Sequence, residues 1–447
     1  MFPGAHSWLN ISPVTISQNV KGVSPVTAPE PPRGGSTAAD VPTKAPAAKA
    51  GIGPMVGAIF LMATSAIGPG FLTQTSVFTV QMGAAFAFAI LLSILVDIAI
   101  QLNVWRILGV SGLRASELAN RVLPGLGWVL AILVAIGGLV FNIGNIAGTG
   151  LGMQALSGGA IDPKVGGAIS ALIAIVVFLW KRAGAALDVI VGILGAMMIL
   201  LMLYVAISSN PPVMEAMRQT VMPDEIDPKV ITTLIGGSIG GYIVFAGVHR
   251  LIDAGHTGPE NLSYISRSAI TGIVVTGIMR ALLFLAVLGV VATGVTLSRD
   301  NTAADVFYNA AGEFGLRAFG MVLWAAGLSS VIGASFTSIS FLTKQGFNPK
   351  IRGWMTVVFI VISTVIFLFV GAAPQLLLIA AGAFNGLILP LSFAVVLWVG
   401  FFRRDILEGY EPPMWMLITG VIGFIISLVM AGMSIAGFAE FLQGFLD

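Results

Sequence analysis

The sequence predicts an all-α polytopic membrane protein: two inverted sets of five transmembrane helices, followed by an eleventh. Three observations predict it. The 447-residue chain is 57% hydrophobic and 9% charged, with mean hydropathy +0.97, whereas soluble domains are about 25% charged. Apolar stretches long enough to cross a bilayer, about 20 residues each, recur almost to the C-terminus. The first stretch of each set is interrupted by glycine at membrane depth, at matching positions in the two halves. The same composition excludes other classes. A net charge of +2 implies no nucleic-acid partner, and the absence of cysteine excludes disulfides and thiolate metal sites. His6, His249 and His256 are too few for a His-rich metal centre.

Residues 1–50 are rich in Pro, Ala, Ser and Gly, and this composition predicts a disordered tail. It lacks the order of a signal peptide, so the first membrane helix is expected to act as the targeting signal. A transporter-like membrane domain is expected over residues 51–447, with repeat one at about 54–207, repeat two at about 229–401 and the extra helix at about 412–437. The eleven predicted spans are 54–82, 84–107, 125–154, 165–180, 185–207, 229–252, 266–295, 314–343, 353–371, 374–401 and 412–437. Turn and charge signals mark the joints, among them Leu123-Pro124-Gly125, Lys181-Arg182, Asn210-Pro211-Pro212 and Asn348-Pro349-Lys350.

Basic residues predict the orientation, because Lys and Arg accumulate in cytoplasmic loops. With the N-terminus inside, fourteen lie on the cytoplasmic side (Lys44, Lys49, Arg106, Arg114, Arg121, Lys181, Arg182, Arg250, Arg267, Lys344, Lys350, Arg352, Arg403 and Arg404). Only Lys164, Arg218, Lys229 and Arg299 lie outside. This bias predicts a multi-pass cell-membrane protein with a cytoplasmic N-terminus and an extracytoplasmic C-terminus, its environment the lipid bilayer.

Span 1 runs apolar from Met55 to Ile67, then meets Gly68-Pro69-Gly70 and becomes rich in hydroxyls and amides: Thr73, Gln74, Thr75, Ser76, Thr79 and Gln81. Proline has no N–H to donate and glycine weakens helices. A broken helix is tolerated at membrane depth only where the freed backbone groups face protein or a watery cavity. Span 6 breaks in register, at Gly236-Gly237-Ser238-Ile239-Gly240-Gly241-Tyr242. A kink that only packs against neighbours, or a glycine-rich packing face, explains either break alone. Two breaks in register favour a solute site between them, near Gly68, Phe71, Gln74, Thr75, Gly240, Gly241 and Tyr242. Gln74 and Thr75 follow the break by about one turn.

Other membrane-depth polar groups need a reason. Asn142 and Asn145 in span 3 lie three apart, on one helix face, and serve either a site or interhelical hydrogen bonding. Asp97 and Gln101 share a face of span 2; Asp97 faces a cavity or pairs with a base such as Arg280. Ser329, Ser330, Ser335, Thr337 and Ser338 in span 8 suit packing, whereas Asn385 before Leu389-Pro390 in span 10 is harder to dismiss. His249 and Arg250 close span 6 and are expected to face solvent or headgroups. Asp253 and His256 follow in a loop, more simply a loop than a weak metal site. No Walker loop or HExxH occurs, so no enzyme is expected.

These features, in this order and topology, resemble the NRAMP family of divalent-metal transporters, which has the LeuT-like inverted-repeat fold. Gly68-Pro69-Gly70-Phe71 stands where the family carries Asp-Pro-Gly-Asn. The span-3 run from Asn142 to Gly150 resembles its Asp-x-x-Glu followed by Gly-x-Ala. The span-8 run from Ala326 to Gly333 resembles its Gly-Gln-Ser-Ser-Thr-Ile-Thr-Gly, and Leu389-Pro390 its closing Leu-Pro. The departures concern the site. The family's metal-binding Asp and Asn fall on Gly68 and Phe71, and its Met-Pro-His near Gly241-Tyr242-Ile243. Its proton-route acids fall on Asn142 and Asn145, and its span-10 glutamine near Ala381-Gly382.

Loss of the methionine and the carboxylate resembles the NRAMP-related magnesium transporters. The resemblance implies a secondary transporter taking up partly hydrated Mg²⁺ without proton coupling, with Mn²⁺ a second candidate cargo and no bound cofactor. Mg²⁺ keeps several waters and takes oxygen ligands, whereas a thioether would suit softer metals. Two rivals share the fold: a Na⁺-coupled symporter for an amino acid or other organic solute, and a proton-coupled Mn²⁺ symporter with rearranged ligands. A channel or a structural membrane protein fits the paired breaks less well.

Overall fold

The computed structural model describes residues 67–343, 347–370 and 373–446. The predicted tail and the first half of span 1 lie outside them. Every other predicted span is helical. Span 1 continues as Pro69–Met82, and a 3-10 turn at Gly83–Ala85 leads into span 2, Phe86–Ser111. Spans 3, 4 and 5 are Leu126–Leu156, Pro163–Leu179 and Lys181–Ser208. Span 7 is Leu262–Ala292, span 9 Pro349–Phe369 and span 11 Met414–Leu446. Among the described residues, eight helical stretches are long and apolar enough to cross a membrane, nine if a pair bent by 107° at the end of span 5 is one span.

The starts of these helices are written in the sequence. Proline opens spans 4, 6, 9 and 10, where its missing N–H would have no helical partner. Asp162, Asp227 and Asn348 precede three of these prolines, and each side chain accepts from the backbone N–H two residues on.

Three features depart from the sequence reading. The helix containing span 8 runs Thr302–Leu342 with non-helical backbone at Ala311 and Gly312, so an additional helical segment precedes the span. Span 10 is divided into Pro374–Gly386 and Leu389–Phe402, a third break, directly after Asn385. Short helices occupy two joints, Ala115–Val122 and Val213–Val221.

Spans 3 and 8 pack most extensively. Small residues permit the approach: at Gly152 an added methyl would meet the Trp324 backbone, and at Gly320 that of Ala155 and Leu156. Span 6 is buried along its length.

The end of span 6 differs from expectation. His249 is buried, ringed by Phe245 and Phe341, and its Nε2 accepts from the Ala115 N–H at 3.3 Å. The Phe341 ring of span 8 and the start of the joint helix Ala115–Val122 cover His249 and exclude solvent and headgroups from it. Asp253 is tied to Arg114 at 2.6 Å, and no acidic or histidine cluster fit for a metal occurs among the described residues.

Candidate functional site

The predicted break in span 6 is present, and the start of the described half of span 1 adjoins it. The described half of span 1 starts at Gly68, which has extended backbone (φ −84°, ψ −175°) and no side-chain cap. Pro69 has no N–H, so the positive end of this half-helix is left to whatever lies before it. Span 6 is Pro228–Ile239 followed by Ile243–Asp253. Gly240 is extended and Gly241 is left-handed (φ +57°), a conformation glycine adopts without strain. The Gly241 N–H donates to the Asn385 carbonyl at 3.2 Å. The break in span 6 is therefore stitched to the break in span 10.

Gln74 lies one turn into span 1, between spans 6 and 10. Its Nε2 donates to the Leu378 carbonyl at 3.3 Å. Its amide fills the space left by Gly237 and Gly382, where a methyl on either would collide with it. Asn145 approaches the span-1 break from span 3: its Oδ1 lies 3.5 Å from where a Gly68 Cβ would stand, and Ser330 Oγ from span 8 lies 2.9 Å away. The Tyr242 hydroxyl faces Asn145, with its ring edge-on to Phe141 at 5.5 Å. Asn385 Nδ2 donates to the carbonyls of Ala381 (2.9 Å) and Gly137 (3.3 Å).

Four groups here are fully buried and incompletely bonded. Gln74 Oε1, Asn385 Oδ1, the Tyr242 hydroxyl and both polar atoms of Asn145 make no geometrically sound hydrogen bond among the described residues, although their residues are 0% exposed. Burying such groups without partners costs about 1–3 kcal/mol each. Natural folds satisfy the great majority of them, and exceptions call for an explanation. Others occur elsewhere, at Asn103, Asn142, Ser338 and Tyr410 among them, but these four residues lie together at the breaks.

The other predicted residues divide. Gly68, Gln74, Gly240, Gly241, Tyr242, Asn145 and Asn385 come together. The Thr75 hydroxyl donates to the Phe71 carbonyl at 2.8 Å, within its own helix. The Phe71 ring lies beneath the Arg280 guanidinium, 4.4 Å from it. Asn142 turns towards spans 8 and 9, donating to Ser335 Oγ and Ser363 Oγ at 3.1 Å. Asp97 is beside the site and not in it: it lies near Ser238 and Arg280, while the Ser238 hydroxyl donates to the Leu234 carbonyl of its own helix at 2.6 Å. Gly237 and Gly382, which make room for Gln74, carry no polar signal and are visible in the sequence only as part of glycine-rich runs. An apolar cavity of about 270 Å³ lies apart from these residues, between spans 2 and 7 and the helix Val213–Val221.

An all-helical inverted repeat with span 6 broken beside the start of the described half of span 1 is the architecture of a secondary transporter. The chain belongs to the Nramp family: the family model "Natural resistance-associated macrophage protein-like" matches residues 59–437. An uncharacterized membrane protein of Bacillus subtilis, YcsG, is 50% identical over 380 residues, 84% of this chain and 92% of that protein. An uncharacterized membrane protein of Haemophilus influenzae is 48% identical over 387 residues, 86% of this chain and 96% of the relative. Among solved structures, the manganese transporter of Eremococcus coleocola superposes with TM-score 0.70 at 16% identity, covering 88% of this chain and 87% of that one. MhsT in complex with L-phenylalanine superposes with TM-score 0.61 at 17% identity, over 85% of this chain and 98% of that one. Likenesses at this identity establish the LeuT-like fold.

Proposed function

We propose that this transporter binds its cargo between the breaks of spans 1 and 6, and that the cargo is a divalent cation, Mg²⁺, carried without proton coupling. One observation carries the reading: the unsatisfied buried oxygens of Gln74, Asn145, Tyr242 and Asn385 gather at the breaks. Family membership agrees with a metal cargo. The donors are neutral oxygens with no thioether among them, which suits an ion that keeps part of its water shell. The orientation, N-terminus cytoplasmic, belongs to the same proposal. The test is flux into proteoliposomes with a Mg²⁺ indicator and a pH dye. Mg²⁺ entry with no change in luminal pH is expected; entry of Mn²⁺ with Mg²⁺ excluded removes the basis for a magnesium transporter.

A second reading has its own observation. No carboxylate stands at the breaks among the described residues; Asp97 lies beside them, near Ser238 and Arg280. A dication in a buried site without negative charge is costly, while the uncapped N-terminus at Gly68 suits an anion. These features fit a small organic solute bearing a carboxylate. Na⁺-dependent uptake of such a solute, with no Mg²⁺ flux, would select this reading.

A further inference from the structure

The apolar cavity of about 270 Å³ between spans 2 and 7 and the helix Val213–Val221 takes no part in the transport reading. That helix turns 107° away from the end of span 5, Gly195–Ser208. With span 5 crossing the bilayer, the helix lies along the membrane surface. It packs there on span 2 and on the turn Gly83–Ala85 that opens span 2.

The helix has three sides. Val213, Ala216, Met217 and Thr220, at i, i+3, i+4 and i+7, line the cavity. Met214 and Val221 flank that stripe and, like Met217, are exposed. Glu215, Arg218 and Gln219 take the opposite side, where hydrogen bonds join Arg218 and Gln219 to Glu215 and Asp224. A helix with these sides rests in the interface with its apolar arc among the acyl chains.

The cavity is an open groove. At its mouth Ile94 of span 2 adjoins the exposed Leu95, and Ala281 of span 7 follows the exposed Ile278 by three residues. The groove is therefore continuous with the lipid-facing surface of both spans. Thr220 is the lining residue with a polar side chain, and its hydroxyl donates to the Ala216 carbonyl at 2.7 Å. The lining side chains thus offer an occupant no free hydrogen-bonding group: a polar solute would lose its bonds to water on entering, and hydrocarbon has none to lose. The volume falls below the pockets of drug-sized ligands, about 300–1,000 Å³, and suits a stretch of chain. Charge at the rim selects the headgroup. Between Val213 and Lys229, Arg218 and Lys229 stand against Glu215, Asp224, Glu225 and Asp227, and Arg218 is paired with Glu215 and Asp224. This acidic surplus attracts an ammonium and repels an anion.

We propose that the groove is a lipid site: it holds one acyl chain of a phospholipid whose headgroup carries an ammonium. The proposal is independent of the cargo and of where the cargo binds.

The test is native mass spectrometry of the full chain in detergent, with phosphatidylethanolamine and phosphatidylglycerol of the same acyl chains added in equal amounts. Phosphatidylethanolamine is expected to stay bound, in preference to phosphatidylglycerol. Ala281 is half-buried at the mouth, and Ala281→Phe fills the groove from there. It is expected to lower the lipid-bound fraction about tenfold, the effect of excluding about two methylenes. Leu172→Phe, on the exposed face of span 4, should leave retention unchanged. Absence of retained lipid, retention that Ala281→Phe does not reduce, or preference for phosphatidylglycerol overturns the proposal. So does a dimer that Ala281→Phe dissociates, since the groove would then seat a second copy of the chain. If Ala281→Phe does not fold, the smaller Ala281→Leu decides by the same readout.

Discussion

Gln74 has one arm of its amide committed and one free. Nε2 holds the Leu378 carbonyl, while Oε1 holds nothing among the described residues. Gln74→Ala is therefore expected to remove about 1 kcal/mol of stability, one buried hydrogen bond, and to lower transport about tenfold, the loss of one ligand. Uptake rates and thermal midpoints at matched incorporation measure both, and unchanged uptake would place the cargo elsewhere. Tyr242→Phe removes an unpartnered buried hydroxyl. Its thermal midpoint should hold or rise while transport falls; a fall in both would make the hydroxyl structural. Thr75→Val should leave uptake within about twofold, because that hydroxyl is spent on the Phe71 carbonyl. At this scale the sequence was half legible. The excess of amides and hydroxyls after Pro69 marked the right turn of helix, but residue type does not say whether a hydroxyl bonds back to its own helix. Asn142 and Asn145 share a face, yet one serves packing with Ser335 and Ser363 while the other faces Gly68 and Tyr242.

The glycines of span 6 do two jobs. Gly241 supplies the left-handed residue of the break, and Gly236 and Gly237 let spans 1 and 10 come close. A methyl at Gly236 meets the Gly382 carbonyl oxygen and the Gly386 nitrogen, backbone atoms that cannot rotate away. Gly236→Ala is expected to destabilise by about 1–3 kcal/mol through overpacking and to abolish transport. Gly195→Ala is the control: nothing lies within 4 Å of its added methyl, so the helix propensity of alanine should leave stability unchanged or raise it by up to about 1 kcal/mol. Equal losses for the two would mean that close approach at Gly236 is not what matters. The breaks of spans 1 and 6 were legible because glycine and proline interrupt long apolar runs there. The break after Asn385 was not, because Gly386-Leu387-Ile388 reads as one glycine in an apolar run, and the chain parts there where the Asn385 carbonyl turns to the Gly241 N–H. The burial of His249 was hidden for a related reason: its partner Ala115 lies more than a hundred residues away in the chain.

At the scale of the whole molecule, the carboxylate and imidazole groups that could move a proton are, among the described residues, placed away from the breaks or engaged. Asp97 lies beside Arg280, whose Nη1 donates to Ser238 Oγ. His249 is enclosed by Phe245 and Phe341 at the far end of span 6, with Nε2 accepting from Ala115. Asn142 and Asn145 carry amides, which do not titrate. A proton-coupled carrier needs a group that binds and releases H⁺ beside its cargo, and the breaks offer none among the described residues. Transport is therefore expected to follow the cargo's own gradient and the membrane potential. That potential contributes about 2.3 kcal/mol per charge at 100 mV, hence roughly 4.6 for a divalent cation. Its sign makes the prediction discriminating. Vesicles with an imposed inside-negative potential should accumulate Mg²⁺ faster than depolarised ones, with luminal pH flat throughout. A carboxylate solute moving alone would be slowed by the same potential, and one moving with Na⁺ would need that ion in the external buffer. Luminal acidification that tracks Mg²⁺ entry and vanishes in Asp97→Asn would make Asp97 a proton carrier and refute uncoupled transport. Uptake indifferent to potential, Na⁺ and pH alike would point to an electroneutral cargo and refute the dication.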